Sequence, residues 1–253
     1  MSFRTKLIAV LASSLVSLPA FALNIIFEYD SSSSFYTQER RDALERAASL
    51  YENYIMDDVK VFVSMESVSG NVLFMAQAIP ATHSANFQND WRGAIVFNEG
   101  PGSGWYTGID ENAIGYGYDL FSTALHELGH ILGVGAADTW LAQISDGYFY
   151  GENAVSVYGG PVPVLSRKKD HWAQGVESTL PGTEIWQLAV FEAYGYWYPD
   201  VRRQYLTDLD LAGLADIGWT ISSIPEPETL YLLLSGLGIV GMVVRRQRMK
   251  ATT

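Results

Sequence analysis

One helix-forming stretch constrains this chain more than any other. The segment "DLFSTALHELGHIL" (119–132) is apolar at most positions, and Asp119 is suited to cap its N-terminus. His126 and His130 are four residues apart, so both imidazoles project from the same face of the helix. Glu127 directly follows the first histidine. The fold must therefore bury this helix and leave the face with the histidines open to a site.

The His-Glu-x-x-His pattern predicts a zinc site. Helix geometry sets two imidazole ligands in place, and Glu127 can reach a water held by the metal. As general base, Glu127 would take a proton from that water and pass it to a leaving amine. The chain has no cysteine, which excludes thiolate zinc ligands, disulfide bonds and a nucleophilic cysteine. Zn²⁺ is the expected cofactor, and it needs a third protein ligand.

The same motif carries a family resemblance. "HELGHILGVG" (126–135) resembles the metzincin clan of zinc metalloproteases, whose motif continues through a glycine to a third histidine. Gly133 matches that glycine, which lets the chain turn back under the metal. The close-spaced third histidine would fall at Ala136, and alanine has no donor atom. The short form of the motif is therefore broken.

A more distant histidine completes the resemblance. Leishmanolysin-like members of the clan insert a long segment before a His-Trp third ligand, and "DHW" (170–172) is similar to that arrangement. His171 follows His130 by 41 residues. The resemblance implies that zinc is bound by three histidines: His126, His130 and His171. It also implies that Glu127 activates the water.

Other candidates for the third ligand stay open. A carboxylate could serve in place of a histidine, because His₂Glu zinc sites exist. Glu152 and Asp138 are the candidates, although "GENAVSVYGG" (151–160) is predicted to be a loop that runs into a strand. His83 lies far upstream and is expected to be a polar surface residue.

Two further features of the clan are harder to place. Metzincins have a methionine beneath the zinc, but no methionine lies between His171 and the C-terminal tail. Another apolar residue, from "EIWQLAVFEAYG" (184–195), would have to form that floor. Tyrosines near the third ligand stabilise the oxyanion in some members, and three are candidates here: Tyr194, Tyr196 and Tyr198.

Both ends of the chain have the features of processing signals. Residues 1–22 begin with basic residues, continue with an apolar run and close on Ala-Phe-Ala, which predicts a signal peptide and export. Residues 224–253 contain Pro225-Glu226-Pro227, an apolar run (229–244) and a basic cluster. This order resembles PEP-CTERM sorting tails. It implies an exosortase as partner, a Gram-negative bacterium as host, and a short helix that transiently anchors the chain in the inner membrane.

The segment between these ends is strongly acidic. The ends hold six of the 16 basic residues and two of the 28 acidic ones, so the middle has a net charge of −16. Such a surface repels phosphate backbones, and nucleic acid is not an expected partner.

Residues 23–223 are predicted to form one metalloprotease-like catalytic domain of the α+β class. It would combine a small twisted sheet, the active-site helix and an irregular C-terminal lobe. Strands are expected at 23–30, 59–65 and 93–100, with the region 70–90 ambiguous. Further helices are expected at 37–56 and at 206–219, where Thr207 would form the cap. The last of these, "LTDLDLAGLADIGW", also resembles the closing helix of exported bacterial metalloproteases.

Two functions follow from these expectations. The first is an exported zinc-dependent endopeptidase, held in the periplasm, at the outer surface or in the exopolysaccharide matrix, with proteins or peptides as substrates. The alternative is a non-catalytic zinc-binding protein of the cell surface or biofilm matrix. The tail and the missing methionine motivate the alternative, whereas the intact Glu127 favours the enzyme.

Overall fold

A computed structural model of the chain describes residues 23–69, 76–80, 91–100, 104–111, 118–165, 168–193 and 203–222. In this part of the chain the helices are α1 (Gln38–Tyr54), α2 (Leu120–Ile131), α3 (Asp138–Ala142), α4 (Glu152–Tyr158) and α5 (Asp208–Asp216). The longer strands are β1 (Asn24–Tyr29), β2 (Lys60–Val68), β3 (Ala76–Pro80) and β4 (Trp91–Asn98). The short strands are β5 (Trp105–Tyr106), β6 (Tyr118–Asp119), β7 (Ile144–Ser145), β8 (Tyr148–Phe149), β9 (Val162–Pro163), β10 (Glu177–Thr179) and β11 (Trp186–Leu188). The α+β class predicted from the sequence is confirmed.

The largest sheet has four strands in the order β1-β2-β4-β3. β1, β2 and β4 run parallel, and β3 lies antiparallel at one edge. β2 lies between β1 and β4, and alternate side chains along it are buried against the core: Val61, Val63 and Met65. The strand at 76–80 falls in the region whose structure the sequence left ambiguous.

Helix α1 supplies the crossover between the parallel strands β1 and β2. Its buried positions recur at three- and four-residue steps: Ala43, Leu44, Ala47, Ala48 and Tyr51. The Tyr51 hydroxyl donates a 2.6 Å hydrogen bond to the carbonyl of Leu125, which ties α1 to α2.

Helix α2 lies in the interior, with 11 of its 12 residues buried. Asp119 caps it as predicted, because its carboxylate accepts from the backbone N–H of Ser122 at 3.1 Å. The buried Arg203 guanidinium donates to both oxygens of the same carboxylate, at 3.0 and 2.7 Å. The helix ends at Ile131, and Gly133 follows in the left-handed region with φ +108°.

The C-terminal lobe differs from expectation at one place. Residues 152–158, predicted to be a loop entering a strand, form helix α4. The reason lies far away in sequence: the carboxylate of Asp216 accepts from the backbone N–H groups of Asn153 and Ala154, at 2.9 and 2.8 Å. These contacts satisfy first-turn donors that would otherwise lack partners.

Helix α5 closes the domain. Thr207 and Asp210 form a reciprocal capping box at its start, which confirms the predicted cap. The helix ends at Asp216, before Gly218 with φ +119°. Trp219 then donates from its indole to the carbonyl of Leu132 at 2.8 Å, which joins the end of the lobe to the end of α2.

Several expectations fall outside the described residues. These are the signal peptide (1–22), the sorting tail (224–253), His83, and the tyrosines at positions 194, 196 and 198. None of the helices in the described part combines the length and the hydrophobicity that a membrane crossing requires.

Candidate metal centre

Three histidines from two parts of the chain meet at one point. His126 Nε2 lies 3.0 Å from His130 Nε2 and 3.0 Å from His171 Nε2, and the third distance is 3.1 Å. The first two project from α2, and His171 comes from the loop before β10. The structure therefore places His171 beside the helical pair, although 41 residues separate it from His130.

The opposite ring nitrogens show which tautomer each histidine adopts. His126 Nδ1 lies 2.7 Å from the carbonyl of Val190, and His130 Nδ1 lies 2.8 Å from the carbonyl of Val134. A carbonyl oxygen can only accept, so both Nδ1 atoms must carry the proton. Their Nε2 atoms then hold lone pairs.

His171 follows the same rule with a carboxylate as its partner. Its Nδ1 lies 2.7 Å from Asp170 Oδ1. Burial raises the pKa of Asp170, but the hydrogen bond and charge of His171 outweigh burial and hold this pKa below its ordinary value. An ionised Asp170 accepts from Nδ1–H, which leaves Nε2 of His171 directed at the other two histidines.

Two of the three imidazoles resist protonation near neutral pH. Burial and the neighbouring histidines hold the pKa of His126 well below its ordinary value. Burial, together with His171, lowers the pKa of His130 to about 4. Both imidazoles are therefore neutral at pH 7, which is the form that binds a metal ion.

The donor set fits zinc. Three Nε2 atoms on a tetrahedral ion with Zn–N bonds of ~2.0–2.1 Å would be about 3.3 Å apart. The observed separations of 3.0 to 3.1 Å are close to this value. Three nitrogens at this spacing are suited to share one cation. The three histidines could thus hold a metal ion.

Two glycines bring the third histidine within reach of the helix. Gly133 and Gly135 both have positive φ, at +108° and +72°, which turns the chain after α2. A Cβ on Gly135 would lie 2.3 Å from the carbonyl oxygen of Asp170. Residue 135 must be a glycine for the segment with His171 to approach this closely.

Trp172 anchors the segment from the other side. Its ring is fully buried against Trp140 and Phe149, with centroids 4.7 and 5.2 Å away. Its backbone N–H donates to the carbonyl of Phe191 at 2.8 Å. The tryptophan after His171 is therefore a packing anchor that fixes the position of the histidine.

Residues 190–191 form the floor beneath the histidines. Phe191 packs against α2 where Gly129 has no side chain: a Cβ there would lie 1.9 Å from the ring. The Phe191 ring centroid is 6.3 Å from that of His126. This segment falls inside 184–195, where the sequence required an apolar replacement for the methionine.

Asp210 holds this floor in place. Its fully buried carboxylate accepts from the backbone N–H of Val190 at 2.9 Å and of Phe191 at 3.3 Å. It also accepts from the indole of Trp172 at 3.3 Å. Sequence reasoning used Asp210 only as part of a helix and missed this role, because its partners lie about 20 or more residues away.

Glu127 lies on the helix next to the histidines and faces the same cleft. Burial raises its pKa to about 7, partly opposed by a hydrogen bond from the backbone N–H of Ala78. That bond measures 2.7 Å to Oε2. A carboxylate with this pKa can both accept and release a proton at neutral pH.

The histidines open into a cleft of about 450 Å³. The described residues that line it are Ala76, Gln77, Ala78, Pro80, His126, Glu127, His130, Gly135, Ala136, Lys168, Asp170 and His171. One wall is the edge strand β3, and another is the loop that carries His171. A metal ion held by the three nitrogens would keep one coordination position open to this cleft.

The two carboxylates considered as alternative third ligands do not join the histidines. Glu152 and Asp138 are exposed residues in the first turns of α4 and α3. Neither belongs to the group of donor atoms that lie within 4.8 Å of one another in the described part of the chain.

Comparison with known proteins finds a match in the C-terminal tail. Residues 223–248 match the family model of the PEP-CTERM protein-sorting motif. The match implies an exported protein that an exosortase sorts and that is tied to the cell envelope. It covers 26 of the 253 residues and does not include the domain with the histidines. No curated protein matches the chain.

Proposed function

We propose that the chain is an exported zinc-dependent endopeptidase of metzincin-like design. One observation carries the proposal: three Nε2 atoms converge within 3.0 to 3.1 Å, next to a cleft-facing glutamate. A purely structural zinc site would close the fourth position with another protein ligand. Here the described residues leave that position facing the cleft.

The three histidines would bind the metal, and the hydrogen-bond acceptors of their Nδ1 atoms would fix the orientation of each ring. A zinc ion bound here would lower the pKa of a water at the open position to about 7 and polarise the peptide carbonyl. Val190, Val134 and Asp170 fix the three ring tautomers through Nδ1, so each Nε2 is available without rearrangement.

Glu127 would act as general base and then as general acid. Its pKa of about 7 suits it to take a proton from the attacking water and to return it to the leaving amine. The hydrogen bond from Ala78 keeps the carboxylate aimed at the cleft. This contact also makes β3 part of the catalytic arrangement.

The edge strand would orient the substrate. Ala78 directs its N–H away from β4 and towards Glu127, and in an antiparallel strand the carbonyl of the same residue points to the same side. Ala76, two residues away, repeats this orientation. Because the Ala78 N–H is already held by Glu127, an extended peptide would add to the sheet through the Ala78 carbonyl and the backbone groups of Ala76, which would bring its scissile bond to the cleft beside the histidines.

The family resemblance supports the same conclusion. The helical motif, the glycine turn at Gly133 and the His-Trp third ligand match the leishmanolysin-like arrangement. The chain departs from the clan at the floor, where Phe191 lies in place of a methionine. The sorting motif supports display of the enzyme at the cell surface or in the exopolysaccharide matrix.

The test compares Glu127→Ala and Glu127→Gln with the wild type in the full chain. Casein and gelatin digestion should fall at least ~10²-fold in both variants, since a general base contributes about this much. Zinc content should stay at one ion per chain, and a chelator should abolish wild-type activity. Wild-type proteolysis by either variant would refute the mechanism. A wild-type chain that holds zinc and digests nothing would favour the non-catalytic matrix protein.

A further inference from the structure

A lysine lies in the wall of the cleft beside the third histidine. Lys168 is exposed and belongs to the loop that leads into His171. The loop is closed by hydrogen bonds from Leu165 N–H to the His171 carbonyl at 2.9 Å and from Lys169 N–H to the Leu165 carbonyl at 3.0 Å. The Trp140 indole donates to the Lys169 carbonyl at 2.8 Å. These three hydrogen bonds fix the loop that carries Lys168.

Lys168 is the middle residue of a short basic run, Arg167-Lys168-Lys169, in a domain that is otherwise strongly acidic. The segment between the two ends has a net charge of −16, yet the cleft wall contains this cation. Asp170, the nearest acidic residue in sequence, is engaged by His171. Within the described residues, the contacts between a basic and an acidic side chain are His171–Asp170 and Arg203–Asp119, and neither includes Lys168.

We propose that Lys168 binds a carboxylate of the substrate, so that the site selects peptides with a carboxylate close to the scissile bond. The inference rests on the proposed peptidase function and names the substrate class of that site. The carboxylate can come from an Asp or Glu side chain or from the C-terminus of the peptide. Lys168 supplies a positive charge to the cleft wall, and this charge would attract a carboxylate locally in spite of the net negative charge of the domain.

Lys168 is exposed to solvent, so its expected contribution to peptide affinity is that of a solvent-accessible ion pair. An ion pair at a solvent-accessible site changes affinity roughly two- to fivefold, and more where a ligand displaces water from a cleft. Charge reversal replaces the attraction by a repulsion of similar size, so Lys168→Glu should shift the preference by about tenfold. The preference should also shrink at high salt, since the screening length falls from ~8 Å at 0.15 M to ~3 Å at 1 M.

The experiment uses the zinc-loaded full chain and a matched peptide series. Glu, Gln and Lys alternate at each position that flanks the cleaved bond, and each peptide is made with a free and with an amidated C-terminus. The wild type should show a roughly threefold or greater kcat/KM advantage for one carboxylate-bearing set. An advantage for internal Glu identifies a side-chain carboxylate, and an advantage lost on amidation identifies the C-terminus.

Three variants assign the preference to one side chain. Lys168→Gln should abolish it, and Lys168→Glu should invert it in favour of the Lys-containing peptides. Lys169→Gln is the matched control: it removes the same charge from the neighbouring residue, which does not line the cleft, and should keep the wild-type preference. Equal kcat/KM for all peptides in the wild type, or an unchanged preference in Lys168→Gln, would overturn the proposal.

A binding measurement separates this proposal from the enzymatic one. Fluorescent versions of the same peptides are titrated into the Glu127→Gln variant and into Glu127→Gln combined with Lys168→Gln. Selective binding of carboxylate peptides that requires Lys168 supports the inference even if nothing is cleaved, and in that case the proposed function alone fails. Cleavage without selectivity overturns the role of Lys168 and leaves the peptidase standing.

Discussion

Substitution of Gly135 by alanine tests how His171 reaches the other two histidines. The added Cβ would lie 2.3 Å from the carbonyl oxygen of Asp170 and 2.6 Å from its Cα. These are backbone atoms of the residue directly before His171, so no flexible side chain can absorb the overlap. Gly147 offers a matched control, because its φ of +82° is close to the +72° of Gly135 and nothing lies within 4 Å of its added Cβ.

The two substitutions share one energetic cost and differ in another. An alanine in the left-handed region costs about 1–2 kcal/mol of unfolding free energy at either position. At residue 135 the Asp170 backbone must also move by about 1 Å to restore ordinary contact, whereas metal–ligand distances tolerate only ~0.2 Å. The displaced His171 should therefore bind zinc roughly 10- to 100-fold more weakly, as when an outer-shell partner is lost.

The assay is zinc affinity by competition with a chromogenic chelator, paired with urea unfolding in zinc and in EDTA. Gly147→Ala should lose stability equally in both conditions and keep wild-type zinc affinity. Gly135→Ala should lose affinity, so that zinc stabilises it less than it stabilises the wild type. Equal zinc affinity in the two variants would refute the claim that the glycine permits the approach of His171.

Three further changes test the centre and its supports. His171→Ala should lose stoichiometric zinc and all proteolysis, whereas His83→Ala should keep both, as metal analysis and casein digestion will show. Asp170→Asn should weaken zinc binding about 10- to 100-fold, because the amide is a poorer acceptor for the imidazole N–H, and chelator competition measures it. Asp210→Asn keeps the shape of the side chain but leaves the two donors now held at 3.3 Å without an acceptor, at a cost of about 2–4 kcal/mol in urea unfolding. Asp208→Asn, on the same helical turn, should cost less than about 1 kcal/mol.

Local signals made the central helix predictable. The cap at Asp119, the spacing of the two histidines and the glycines after the helix all lie within about 20 residues of one another. Each acts on its own neighbours, so the helix and the face that carries the two histidines could be derived without knowledge of the rest of the fold. The capping box at Thr207 was predictable for the same reason.

Long-range contacts limited the rest of the prediction. Helix α4 depends on Asp216, which is 63 residues from its partner Asn153, and the segment itself carries no strong helix signal. Strand β3 is five residues long and is defined by pairing with β4, so periodicity alone did not reveal it. Its contact with Glu127 spans 49 residues. Such pairings are set by the fold as a whole, which a local pattern does not encode.

Asp170 could have been predicted from a local signal, but that signal was not used. Its position directly before His171 is a local signal, since metal-binding histidines commonly donate their second N–H to a carboxylate. Sequence reasoning used "DHW" only to place the histidine and overlooked the aspartate. Val190 and Val134, by contrast, contribute carbonyl groups, and a backbone acceptor leaves no trace in the residue type.

The sequence predicts an apolar residue other than methionine at the floor beneath the histidines, and the structure shows how such a floor is held in place. The floor acts on the site through its backbone, because Val190 accepts from His126 and Phe191 accepts from Trp172. Asp210 fixes that backbone from α5, so the hydrogen bonds do not require a particular side chain at the floor. What the side chain must do is fill the space beneath the helix, and Gly129 leaves room there for a phenylalanine ring in place of a thioether. A phenylalanine at the floor is thus compatible with three histidine nitrogens that lie 3.0 to 3.1 Å apart and could hold a metal ion.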